Sequence, residues 1–148
     1  KLFNYAMDKE VSNKKLKINK ISMKSSLAET NENSLYLKFI NFLARSNSNF
    51  EDEYQVQTET VDKIFESISL KKTLLKIDVE GFEMNVLKGS QIKLKEIPFI
   101  LLENQFGNHF KNNNFKDITK LLLGQNFMID KKFVFPTLHY QDVLFKKI

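Results

Sequence analysis

The stretch LLKIDVEGFEMNVLKGS, residues 74–90, decides the fold class. Its first part, with Thr73 ahead of it, is an apolar run through Leu74, Leu75, Ile77 and Val79, which predicts a buried strand over 73–79. Gly81 follows at once and permits a sharp strand-to-helix turn. Residues 81–88 then place Phe82, Val86 and Leu87 on one helical face, with Gly89 as the C-terminal stop. A strand passing directly into a helix is half of a βαβ unit. Three acids punctuate the junction: Asp78 at the strand tip, Glu80 in the turn and Glu83 in the first helical turn. In open α/β sheets ligands gather beyond the carboxyl ends of strands, so this is where chemistry is sought first.

Downstream the pattern repeats. Residues 91–96 read as a short helix or turn ending before Pro98, and FILLE (99–103) reads as a second buried strand, again with an acid, Glu103, at its carboxyl end. If the two strands pair, Asp78 and Glu103 are neighbours. Residues 115–123 form a helix with Ile118, Leu121 and Leu122 inward, stopped by Gly124. Residues 127–135 and 142–147 are strands whose connection is too short for a crossover, so they form an antiparallel hairpin. The near-continuous apolar strands with intervening helices imply an α/β fold with a parallel sheet covered on both faces.

Upstream the signals are shorter. Residues 2–7 are a strand tail ending at Asp8, and residues 15–21 alternate as a half-exposed strand. Residues 22–34 read as loop, and residues 35–43 as a helix capped by Ser34. After a polar loop, Tyr54, Val56 and Thr58 mark another strand. Thr60 then caps a short helix whose inward side is Val61, Ile64, Phe65 and Ile68.

The totals set bounds on function. A chain of 148 residues suits one domain, and 14 phenylalanines supply bulky core. No apolar run approaches the roughly 18 residues of a membrane span, and residues 1–10 are no signal peptide. Cysteine is absent, which excludes disulfides and thiolate metal sites and fits a reducing compartment, so a cytoplasmic location is expected. The net charge of +5 is spread over dispersed lysines with a single arginine, Arg45, and does not make a nucleic-acid face.

Asp78, Glu103 and the adjacent Asn104 at adjacent strand tips suit either a hard divalent cation or a general base. The plain reading is a hydrogen-bonded loop anchor, and for Glu83 a helix cap. The two histidines, His109 and His139, share no ligand spacing. His109 follows the Glu103 tip and is the better placed as a general base. Ser25 and Ser26 lack a nucleophile-elbow context.

Residues 74–90 resemble the signature of FkbM-type methyltransferases. Other segments are similar to that family in the same order: NYAMD at 4–8, SSL at 25–27, VQTETVDKIF at 56–65 with Val61 where Leu is usual, IPFILLE at 97–103 and DVLFKK at 142–147. The resemblance implies a Rossmann-like class I methyltransferase fold, present as a partial sheet with a C-terminal antiparallel hairpin. It implies S-adenosylmethionine as cofactor and O-methylation of a hydroxyl on a small molecule or saccharide. Asp8 and Asp78 are then expected to bind the cofactor, and Asp78, Glu80, Glu103 and His109 to serve catalysis. None of the four glycines lies in the first 80 residues. The family's first two strands and Gly-rich loop are therefore expected before Lys1, making residues 1–148 a single, N-terminally incomplete domain that binds the cofactor weakly on its own. The rival expectation is a non-catalytic methyltransferase-like domain that acts as a binding module. A nucleic-acid methyltransferase would instead carry an aromatic-proline tetrapeptide where this chain has DVEG.

Overall fold

The computed structural model describes residues 1–18, 25–29, 52–105, 110, 114–134 and 140–148. The expected helix at 35–43, both histidines and most of the loop at 22–52 lie outside the described residues.

Two four-stranded sheets carry the fold. The first has the order β1-β4-β2-β3, where β1 is Ala6–Met7, β2 is Ser12–Ile18, β3 is Ser25–Ser26 and β4 is Asp52–Glu59. Only β1 and β4 run parallel there; β2 pairs antiparallel with both β4 and β3. The second sheet has the order β5-β6-β8-β7, comprising Leu74–Ile77, Phe99–Gln105, Tyr140–Lys147 and Phe127–Val134. Here β5 and β6 are parallel and the other two pairings antiparallel. The hairpin read from the short 136–141 connection is present, with a register shift between Ile129 and Lys131.

Among the described residues, three α-helices fall where periodicity places them. Helix α1, Val61–Ile64, is capped by Thr60, whose hydroxyl accepts from the Lys63 N–H at 3.1 Å. It is shorter than expected, and Ile68 is exposed rather than inward because the helix ends at Phe65. Helix α2 is Glu83–Lys88 and α3 is Phe115–Gly124. Gly124 is the last residue of α3; the left-handed turn that redirects the chain is made by Asn126, at φ 62°.

The second sheet is mixed, its parallel pair continuing into the expected antiparallel hairpin, and the described residues seal one of its faces. Residues Ile77, Ile100, Leu102, Val143 and Phe145 share that face and are buried under α2 and α3 with Val86, Leu87, Ile118 and Leu122. The opposite face carries Leu74 and Lys76 from β5, both exposed, and Glu103, Asp142 and Lys146 from β6 and β8. By the same register Phe99, Leu101 and Leu144 also lie on this face, half-buried between the charged positions. No helix among the described residues is long and apolar enough to cross a membrane.

The first sheet meets the end of α2 at a tight backbone junction. Within that sheet the Asp8 N–H donates to Glu59 O at 2.9 Å, and across the junction the Asp62 N–H donates to Gly89 O at 3.0 Å. Gly89 sits at φ −84°, a conformation open to any residue. Its reason for being glycine is different: a Cβ there would lie 2.0 Å from the Asp8 carbonyl oxygen. The helix stop read from sequence is thus a point of backbone contact.

Candidate active site

Strand β5 ends at Ile77, and its register opposite Leu102 puts Asp78 beside Glu103. Glu103 in turn faces Asp142 on β8. Alternation sets Lys76, Asp78, Glu103 and Asp142 on the same open face, a row of charge across three strands. The same alternation turns Asn104 to the opposite face of β6, away from Glu103.

Beyond β5 the chain makes a strained turn. Glu80 has φ 49° and Gly81 φ 92°, two successive left-handed residues. For a non-glycine residue this costs on the order of 1 kcal/mol. Two hydrogen bonds and one steric limit hold the turn. Ser26 Oγ donates to Glu80 O at 2.7 Å, and the Gly81 N–H donates to Glu83 Oε1 at 3.0 Å. A Cβ on Gly81 would strike the Phe110 ring at 2.3 Å. Glu83, 3% exposed, is therefore an internal brace for the turn rather than a solvent-facing cap.

The turn brings Glu80 back over the strand ends. One carboxylate oxygen from each of Asp78, Glu80 and Glu103 lies within 4.8 Å of the others. Like charges at that spacing repel by about 1 kcal/mol per pair even in water. Lys76 offsets part of this: its Nζ donates to Asp78 Oδ2 at 2.8 Å. That hydrogen bond first, and the Asp78 charge second, hold the Lys76 ammonium above its ordinary pKa, with Asp142 and Glu103 adding and burial opposing. Asp78 is exposed at its side chain, 39%, where the sequence suggested partial burial. The reason is that β5 has β6 as its one partner among the described residues, leaving the strand tip open to solvent.

Of the predicted site residues, Asp78, Glu80 and Glu103 converge. His109 is outside the described residues. Asp8 belongs to a separate group. It is fully buried, its Oδ2 paired with Lys14 Nζ and its Oδ1 accepting from the Lys9 N–H at 2.6 Å and from Asn85 Nδ2 at 3.2 Å. Two participants were missed in the sequence. Lys76 was legible, standing two residues before Asp78 and hence on the same face. Asp142 was not, because its place opposite Glu103 depends on hairpin register.

Residues 4–129 match the family model of the methyltransferase FkbM domain. The chain belongs to that family. No curated protein and no solved structure matches it. For a methyltransferase of this family, the acid row at the carboxyl ends of β5 and β6 is the place where the described residues concentrate charge, strain and solvent access.

Proposed function

We propose that this FkbM-family protein is an S-adenosylmethionine-dependent O-methyltransferase on a Rossmann-like framework, acting on a hydroxyl of a small molecule or saccharide. The observation that carries the reading is the convergence of Asp78, Glu80 and Glu103 at the carboxyl end of a parallel strand pair. Three clustered carboxylates suit a cationic cofactor. S-adenosylmethionine supplies, when bound, a methyl group made electrophilic by a positively charged sulfur. Asp78, exposed and oriented by Lys76, accepts the proton of the acceptor hydroxyl. Glu80 and Glu103 keep the field negative beside it. Asp8 contributes from a distance, by fixing Asn85 and the start of α2. The donor set is also all-oxygen, as a hard divalent cation requires, but Lys76 already supplies a cation there, so the chemistry is assigned without a metal.

Incubating the full-length protein with methyl-labelled S-adenosylmethionine and a panel of hydroxylated acceptors tests this. Asp78→Asn is expected to lower turnover about a hundredfold, the scale of one general base, with a smaller loss of cofactor affinity. If the wild-type protein neither binds the cofactor nor transfers label, the reading is wrong; if only Asp78→Asn matches wild type, the base lies elsewhere.

A further inference from the structure

A cavity borders the strained turn at Glu80 and Gly81, and nothing above assigns it. It has a volume of about 230 Å³ and lies between the segment after β3 and the start of α2. Leu27, Ala28, Phe82 and Met84 give it apolar walls, with Asn85 and Glu29 as its polar groups. Gly81 also borders it, directly after Glu80 in the chain, so the cavity abuts the strained turn that carries Glu80. We propose that this cavity is the acceptor subsite, holding a single compact ring that is apolar on one side and hydroxylated on the other. This rests on the methyltransferase reading and deepens it.

Size argues for the acceptor. Pockets that enclose a whole drug-sized ligand start at about 300 Å³, so this cavity takes one ring and not an adenosyl group. Chemistry argues for an amphipathic ring. Phe82 and the aliphatic walls cover an apolar face, while Asn85 offers an amide with two N–H donors and one carbonyl acceptor. The bond from Asn85 to the buried Asp8 uses one donor and fixes the amide's orientation. The walls are also preset. Ser26 Oγ both donates to Glu80 O and accepts from the Ala28 N–H at 2.8 Å, so one hydroxyl ties the cavity's roof to the strained turn. Selectivity for the acceptor and alignment of the acid turn are thereby coupled through Ser26.

The test uses the full-length protein with methyl-labelled methionines, and methyl β-D-glucopyranoside and phenyl β-D-glucopyranoside as probes. The Met84 methyl resonance is expected to shift saturably with one or both glycosides while Met128, on β7, does not. Ala28→Leu fills the cavity and abolishes the shift; Phe82→Leu weakens it and guards against a folding defect in the first variant. For any acceptor that is methylated, Ala28→Leu raises KM about tenfold, a factor expected from losing uniform ground-state binding, with cofactor affinity held within about twofold. A Met84 shift without methyl transfer keeps the subsite and removes the methyltransferase reading. A Met84 shift that survives Ala28→Leu, no shift with either glycoside, or methyl transfer that Ala28→Leu leaves unchanged, each overturns the subsite.

Discussion

Two parallel strand pairs occur among the described residues, and they treat the same feature in opposite ways. At the carboxyl end of β1 and β4 stand Asp8 and Glu59; at the carboxyl end of β5 and β6 stand Asp78 and Glu103. The first two are buried, at 0% and 6% exposure. Asp8 is matched by Lys14, and Glu59 Oε1 by Lys63 Nζ at 3.0 Å. Glu59 Oε2 remains buried with no hydrogen-bond partner among the described residues. Of the second two, Asp78 is paired with the solvent-facing Lys76 and is itself 39% exposed. Position at a strand end therefore does not by itself mark chemistry. The two pairs differ in whether solvent reaches the charge.

The sharpest way to break this comparison is to remove Asp8. Asp8→Asn leaves Lys14 without its carboxylate and is expected to destabilise the fold by about 3 kcal/mol, the scale for one partner of a buried ion pair; urea unfolding measures it. A loss under about 1 kcal/mol would mean the buried pair is not structural after all. Gly89→Ala attacks the same junction from the other side. Its new methyl meets the Asp8 carbonyl, and a cost of about 2 kcal/mol is expected from the overpacking.

Acid titration sharpens the contrast from outside both pairs. The Leu70 N–H first, and then the Lys93 ammonium, hydrogen-bond Glu96 and hold its carboxyl below its ordinary 4.5. A carboxyl depressed in the folded state contributes stability that is complete above its unfolded pKa and is lost as pH falls through the folded one. The melting-temperature gap between wild type and Glu96→Gln is therefore expected to be widest near neutrality and to close below about pH 4. A gap that stays constant across that range would show that Glu96 acts by packing alone. The smallest effect is reserved for the open pair. Asp78→Asn is expected to alter stability by less than about 0.5 kcal/mol, as for other surface positions, while it lowers methyl transfer. Equal stability losses from Asp8→Asn and Asp78→Asn would erase the distinction.

The elements around residues 74–147 were legible because their signals are local. Helix periods, the Thr60 cap and the short hairpin connection all read within a few residues. The pairing of β5 with β6, and with it the meeting of Asp78 and Glu103, followed from two apolar runs with acids at their ends. Exposure was misread, because a run such as LLKI gives no sign of which neighbours will cover it, and Lys76 was the one hint that a face stays open. The fate of Asp8 could not be read at all. Its lysine comes from β2, its amide from α2, and its steric limit from Gly89, all set by tertiary pairing rather than by sequence neighbours. The left-handed Glu80 was likewise invisible, since no residue-type preference predicts glutamate there.

The contact between Asp8 and Gly89 has a consequence for how the protein folds. Asn85 reaches Asp8 across 77 positions of sequence, and the Lys93 N–H reaches Asp62 across 31. Together with the close approach of Gly89 to the Asp8 carbonyl, these bonds gather segments around residues 8, 62, 85 and 93 into one junction, and contacts of such long sequence separation are the slow kind for a chain to close.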